Sequence, residues 1–167
     1  MKKHIFVLTV ILLSIVGQAY SQEFKTYYFS IFKIDIPSSW NMNIKNEFNK
    51  VFIAVSKQDS DYDFKENISL TILEIDQKQR VQYFLHILKD EIKKLKQEII
   101  KEEVISWSPL IKSITYDYFI NVRIRQIAYV LIIDKNVFLL MCSSTPDDFV
   151  NYKSLFDKIV KSIVLIN

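Results

Sequence analysis

An acidic segment near the middle of the chain contains the residues best suited to chemistry. Three aspartates alternate with other residues in it, at Asp59, Asp61 and Asp63. Carboxylate oxygens are the ligands that Ca²⁺ prefers, so this spacing makes the three aspartates weak candidates for a metal site. An EF-hand loop requires Gly at its sixth position and Glu at its twelfth, where this chain has Phe64 and Leu70. We therefore expect a solvated acidic turn, with a Ca²⁺ site as the less favoured alternative.

The same carboxylates suggest a second chemistry. Two carboxyl groups at a suitable separation can act as acid and base in hydrolysis without His or Gly. Asp61, Asp63 and Glu66 are the candidates for that role. The sequence does not supply their separation, so a small hydrolase remains an alternative function and we predict no catalytic residue.

His and Cys are too few for the commonest metal sites. After residue 21 the chain has one His, His86, and one Cys, Cys142, so a zinc site built from several such ligands cannot form within one chain. The helical position of His86 places it opposite an apolar stripe, where we expect it to be exposed. Cys142 ends an apolar run and is expected to be a small core residue; an intermolecular disulfide would require its exposure.

Glycine is nearly absent, and this excludes several classes of enzyme. The single Gly of the chain is Gly17. Phosphate-binding loops, dinucleotide fingerprints and nucleophile elbows all need Gly where the backbone takes a positive φ or approaches a ligand closely. None of these motifs is present, and no organic cofactor is predicted.

The first 21 residues have the pattern of an export signal. Lys2 and Lys3 precede an apolar run of 12 residues, 5–16, and Ala19-Tyr20-Ser21 forms a small-x-small cleavage site. Twelve apolar residues are fewer than the ~20 that cross a bilayer as a helix. We predict cleavage between Ser21 and Gln22, a secreted or periplasmic location, and a mature chain of 22–167 without a transmembrane segment.

The charge of the mature chain is balanced. Loss of the two signal lysines leaves 20 basic and 19 acidic residues. Nucleic-acid binding needs a concentrated cationic face, so nucleic acid is not an expected partner. Lysines do give one predicted helix a basic outer face that could attract acidic lipids, but that face lacks apolar anchors, and we expect it to be solvated. These lysines are Lys89, Lys93, Lys94, Lys96 and Lys101.

The first half of the mature chain has mainly β-type patterns. Apolar alternation predicts a strand over 32–36 that Pro37 ends, with 26–29 leading into it. Two further strands, 51–56 and 67–75, are expected to form a hairpin-like pair around the acidic loop.

Helical and β-type patterns then alternate. Asp76 and Gln79 form a capping box, and apolar residues repeat at helical spacing from Val81 to Ile99. Thr145 is expected to cap a final helix whose apolar stripe faces the core. Between the helices the sequence predicts a meander of strands at 102–107, 110–120, 122–133 and 136–142. The predicted fold class is α+β: one domain with a twisted antiparallel sheet of about six strands and helices packed on both faces.

These elements resemble the PsbP-like family, which also includes the bacterial DcrB-type envelope proteins and the Ran-binding Mog proteins. Phe32, Ile34, Ile36, Pro37 and Trp40 are similar to the family's entry motif. Glu66-Asn67-Ile68 opens a strand in the same way, and an aromatic-rich helix closes the chain. The resemblance implies an α/β/α sandwich used as a binding or accessory module.

Function is therefore expected to lie in binding. The leading hypothesis is an exported, non-enzymatic accessory domain whose partner is another envelope or secreted protein. Loops displayed by a rigid sheet often carry binding residues, so Trp40, Tyr62 and Phe64 are the candidate binding surface. Besides the hydrolase, a carrier of an apolar ligand remains an alternative.

Overall fold

A computed structural model of the chain describes residues 22–47, 49–57, 64–74, 81–107, 109–133 and 136–166. The predicted signal, 1–21, and most of the acidic segment, 58–63, lie outside the described residues, as does the predicted capping box of Asp76 and Gln79. Within the described part, no helix combines the length and apolar character needed to span a membrane.

The described residues form ten strands and two helices. In chain order they are β1 (Phe24–Tyr28), β2 (Phe32–Pro37), β3 (Asn41–Glu47), β4 (Lys50–Val55), β5 (Asn67–Glu74), α1 (Val81–Lys94), β6 (Glu98–Trp107), β7 (Leu110–Phe119), β8 (Arg123–Ile133), β9 (Asn136–Ser144), α2 (Phe149–Lys161) and β10 (Val164–Leu165).

The strands build two antiparallel sheets. The larger has seven strands in the order β3-β4-β5-β9-β8-β7-β6, and the smaller has three in the order β1-β2-β10. The prediction of one sheet of about six strands was therefore wrong, although the mixed α/β class with antiparallel pairing is confirmed. Two strands, β3 and β10, had no clear sequence pattern: β3 is rich in Asn and lies at an edge, and β10 has only two residues.

Consecutive hairpins account for most of the large sheet. The predicted β4–β5 pair and the predicted meander β6 to β9 are both confirmed. Pairing of β5 with β9, for example Ile68 opposite Cys142, joins the first half of the chain to the second. This long-range pair brings Glu66, just before β5, and the start of α2, just after β9, to the same end of the sheet.

Alternate residues of β8 serve two separate hydrophobic clusters. Ile127 and Tyr129 belong to the first, and Ala128 and Val130 to the second. Because side chains of a strand alternate between faces, the two clusters lie on opposite faces of the large sheet. Buried residues of α2 and β2 belong to the first cluster, whereas those of α1 belong to the second.

Helix α1 is shorter than its apolar pattern predicts. It ends at Lys94, and Lys96 has a positive φ of 55°. The N–H of Gln97 donates to the carbonyl of Ile92, and the N–H of Lys96 donates to that of Lys93, which is the Schellman arrangement that stops a helix. The predicted helical stripe was wrong at its end: Leu95 is exposed and Ile99 lies in β6.

Helix α2 begins slightly later than predicted. Its first helical residue is Phe149, and residues 146–148 form a turn before it. The Thr145 hydroxyl donates to the Asp148 carboxylate at 2.9 Å and accepts the N–H of Asp148 at 3.3 Å. Thr145 therefore organises the turn that starts the helix.

Candidate functional site

The structure places one carboxylate of the acidic segment inside the protein. Glu66 immediately precedes β5, and Ser56 immediately follows β4, so strand pairing sets the two residues side by side. The Ser56 N–H donates to the Glu66 carbonyl at 2.8 Å, and the Ser56 hydroxyl donates to Glu66 Oε2 at 2.9 Å. Both residues are almost completely buried.

Tyr152 of helix α2 contacts Glu66, and Trp40, in the turn after β2, lies next to Tyr152. Burial raises the pKa of Tyr152 to about 12, and the charge of Glu66 and a side-chain hydrogen bond to it add to the effect. The ring of Trp40 lies 6.4 Å from that of Tyr152, and Trp40 is only 5 % exposed. Three separate parts of the chain thus meet around one buried carboxylate.

The contacts of Glu66 favour a structural role. Two hydroxyl groups, from Ser56 and Tyr152, already engage its carboxylate. A general base must reach a substrate proton, and a general acid must reach a leaving group. A buried carboxylate that holds a strand end to a helix instead satisfies the requirement that buried charges have partners.

A second buried carboxylate lies at the same end of the sheet. Asp117 of β7 faces Arg125 of β8, and Nε and Nη2 of Arg125 donate to its two oxygens at 2.7 and 2.9 Å. Arg123 Nη2 also approaches Asp117 at 2.7 Å. Burial alone would raise the pKa of Asp117, but the hydrogen bond from Arg125 and the charges of both arginines lower it overall.

A cation–π contact connects this ion pair to Phe149, a member of the first hydrophobic cluster. The Arg125 guanidinium lies 5.7 Å from the centre of the Phe149 ring, at the start of α2. Phe149 packs near Phe156, which packs near Tyr152. Sequence analysis missed the ion pair, although the predicted hairpin between 110–120 and 122–133 would have placed Asp117 opposite Arg125.

An open cleft of about 440 Å³ lies beside Asp117, between the turn after α1 and the β7–β8 hairpin. Its walls mix apolar and charged side chains, with Leu95 and Phe119 next to Lys96, Glu98 and Arg123. Gln97 and Tyr118 complete the lining.

The residues predicted from sequence are placed as follows. Asp59, Asp61, Tyr62 and Asp63 lie outside the described residues, so the Ca²⁺ site and the binding role of Tyr62 stay predictions. Phe64 is half-buried, whereas Trp40 is buried in the first hydrophobic cluster and does not form part of the surface. Among the described residues no group of three His, Cys, Asp or Glu side chains could hold a metal ion.

Two further predictions are confirmed. His86 is exposed on α1, 3.4 Å from Asp90, as its helical position predicts. Cys142 is fully buried in the first cluster, and burial raises the pKa of its thiol well above the ordinary value. A thiol in such a position is a core residue and not a nucleophile.

Comparison with known proteins identifies the fold. No family model and no curated protein matches the sequence. The structure superposes on the solution structure of cyanobacterial PsbP (CyanoP) from Synechocystis with a TM-score of 0.67 and 15 % identity, over 90 % of this chain and 96 % of that chain. The chain has the PsbP/Mog1-type fold.

Two other solved structures support the same conclusion. A point mutant of the protein Mog1 gives a TM-score of 0.62 with 9 % identity, over 87 % of this chain and 97 % of that one. LpqN, involved in cell envelope biogenesis of Mycobacterium tuberculosis, gives 0.57 with 12 % identity, over 87 % and 91 %. The expectation of a PsbP-like fold is thus confirmed, while the low identities restrict the likeness to the fold.

Proposed function

We propose that this chain is an exported, non-enzymatic binding domain of the cell envelope that contacts another envelope or secreted protein. The PsbP/Mog1-type fold and the likeness to LpqN, a protein of envelope biogenesis, support an accessory role. The engagement of Glu66 and Asp117 by neighbouring side chains supports binding over catalysis.

The proposal of a protein partner rests mainly on one exposed residue, Trp107. Trp107, at the hairpin between β6 and β7, is 79 % exposed. Trp is enriched among the residues that dominate protein interfaces, because a large flat side chain gains much from burial. We therefore take Trp107 as the candidate centre of the protein-binding surface.

Strand β6, which ends at Trp107, is poorly suited to bind a partner through its backbone. β6 is an edge strand of the large sheet, and its pairing with β7 is interrupted by two register shifts. Exposed charges at Lys101 and Glu102 lie along the same strand. Bulges and charges discourage the pairing of another strand at an edge, so we expect contact through the Trp107 side chain and not through strand addition.

The test is a crosslinking pull-down from the native envelope or medium with tagged 22–167, analysed by mass spectrometry. We expect one stoichiometric protein, and we expect Trp107→Ser to weaken its capture by on the order of tenfold or more. Val150→Ser is the matched control, because Val150 of α2 is 78 % exposed and lies on a different element. Recovery of the bare monomer, or equal capture by Trp107→Ser, would contradict the proposal.

Export is a separate part of the proposal and rests on the sequence of residues 1–21. N-terminal sequencing of the protein from its native source should begin at Gln22. Recovery of an intact Met1 on membrane-bound protein would overturn this part alone.

A further inference from the structure

One end of the molecule has exposed apolar side chains on two adjacent turns. Leu95 follows α1 and is 66 % exposed; Phe119 and Ile120, in the β7–β8 hairpin, are 73 % and 64 % exposed. Leu95 and Phe119 line the same cleft, so the two turns are neighbours. We call Leu95, Phe119 and Ile120 the apolar tip.

The backbone explains why these side chains point outwards. The left-handed conformation of Lys96 stops α1 just after Leu95, so Leu95 does not continue the buried face of the helix. Phe119 pairs with Arg123 in the last register position of the β7–β8 hairpin, and the N–H of Ile120 donates to the carbonyl of Val122 at 3.3 Å within the connecting turn. Both turns therefore extend beyond the packed part of the protein.

Cationic side chains surround the apolar tip. Lys93, Lys94, Lys96 and Arg123 are all exposed. Four acidic residues lie among them: Asp90 and Glu91 lie near Lys94, Asp117 is buried between Arg123 and Arg125, and Glu98 is exposed in the cleft. Counting Arg125, five cations and four acids lie around the tip, which leaves a net charge of +1.

We infer that the apolar tip and its surrounding cations form a docking site for an anionic lipid surface. Peripheral membrane binding needs apolar side chains that enter the interface and cations that meet the phosphate groups. The basic face of α1 lacks apolar anchors in sequence, and the fold supplies them from the β7–β8 hairpin. Lys96 and Arg123, the latter also paired with Asp117, both line the cleft and are the cations we assign to a lipid phosphate.

The shape of the site favours a bilayer over a protein partner. The three apolar side chains protrude from two turns, and a rigid protein surface would need a matching depression for each turn. A bilayer interface deforms to accept each of them, so each apolar side chain can leave water there. The site is also distinct from the Trp107 hairpin, which lies at the other end of the β6–β7 pair.

The test measures co-sedimentation of 22–167 with vesicles. This segment contains every strand and helix that the structure describes. We expect binding to vesicles of phosphatidylcholine mixed with phosphatidylglycerol and much weaker binding to phosphatidylcholine alone. Phe119→Ser should reduce binding about tenfold, because an inserted Phe is lost. Ile44→Ser, an exposed apolar residue of β3 at the opposite edge of the large sheet, should leave it unchanged.

Charge variants test the electrostatic part. Lys93→Glu combined with Lys96→Glu should reduce binding by on the order of 100-fold or more, since each lysine near an anionic surface contributes roughly 1 kcal/mol. Lys45→Glu combined with Lys50→Glu makes the same change in net charge at the opposite end of the large sheet and should have little effect. Glu98→Gln should strengthen binding, because it removes the exposed acid of the cleft.

Several outcomes would overturn the inference. Equal binding to neutral and anionic vesicles would exclude the electrostatic contribution, and unchanged binding by Phe119→Ser would exclude the tip. If Phe119→Ser loses its circular dichroism spectrum, Ile120→Ser in the connecting turn replaces it. Capture of an acidic protein through the tip with no vesicle binding would assign the site to a protein. Because pure lipid is the probe, failure here leaves the protein-partner proposal standing.

Discussion

Lys96 adopts a backbone conformation that suits glycine better than lysine. Its φ is 55°, in the left-handed region, at the position where a Schellman motif usually has Gly. A side chain with a Cβ atom costs about 1–2 kcal/mol in this conformation. We therefore expect Lys96→Gly to raise the free energy of unfolding by about 0.5–1 kcal/mol, part of the gain being offset by the larger entropy of the unfolded chain. Urea denaturation measures the difference.

Asn49 provides the matched control for this prediction. It also has a positive φ, 62°, in the turn between β3 and β4. Asn tolerates the left-handed region better than Lys because its short polar side chain forms local hydrogen bonds. Asn49→Gly should accordingly change stability less than Lys96→Gly. An equal or larger gain at Asn49 would show that the type of side chain is not what costs energy at Lys96.

A buried tyrosine of the large sheet holds helix α2 in place. The Tyr129 hydroxyl, in the middle of β8, donates to Asp157 Oδ1 of α2 at 2.6 Å. Lys153 bridges Asp157 at 2.7 Å and Glu103 of β6 at 3.7 Å, so the contact extends to the sheet edge. A hydrogen bond to a charged group contributes about 1.5–3 kcal/mol. Tyr129→Phe should lower the free energy of unfolding by that amount.

Tyr116→Phe serves as the comparison, because it removes a hydroxyl from the other face of the same sheet. The Tyr116 hydroxyl donates to the neutral amide oxygen of Gln126. A neutral hydrogen bond contributes only about 0.5–1.5 kcal/mol, so the loss should be smaller. A double-mutant cycle of Tyr129→Phe with Asp157→Asn isolates the pair, and a coupling energy near zero would contradict the predicted role of Tyr129.

The sequence correctly predicted the strands and helices whose residues show a clear local pattern. The meander β6 to β9 has apolar alternation and hairpin spacing, and even the Asp117–Arg125 pair follows from the expected hairpin. Leu95 and Ile99 both fit the helical spacing, whereas Lys96 stops the helix without the Gly that usually signals this. The burial of Glu66 against Tyr152 depends on the β5–β9 pairing, which no local pattern specifies.

The interior of the whole molecule combines two apolar clusters with a small set of buried polar groups at one end of the large sheet. Two arginines pair with Asp117 there, hydroxyl groups donate to Glu66, and the exposed lysines lie outside, around the apolar tip. The protein–protein and lipid-binding surfaces proposed above occupy opposite ends of the β6–β7 pair. One folded unit could therefore contact a partner while resting on a membrane.

The tyrosines of this interior predict how the stability of the whole molecule depends on pH. Burial raises the pKa of Tyr116 and Tyr129, and it raises the pKa of Tyr152 to about 12. An unfolded tyrosine ionises near pH ~10, so between about pH 10 and 12 the unfolded chain binds fewer protons than the folded one. The stabilisation from a neutral buried tyrosine is therefore complete below pH ~10 and decreases as the pH rises further.

Urea denaturation at several pH values measures this effect. We expect a constant free energy of unfolding from neutral pH to about pH 9 and a steady decline above pH ~10, with absorbance of tyrosinate appearing together with unfolding. Tyr152→Phe removes one of the ionising groups and should make the decline less steep, at the expense of some stability at neutral pH because Glu66 loses a partner. If the stability at pH 11 equalled that at pH 8, or if tyrosinate formed fully in the folded protein, the three hydroxyls would be accessible to solvent, and the packing of α2 and α1 against the large sheet would be looser than their contacts indicate.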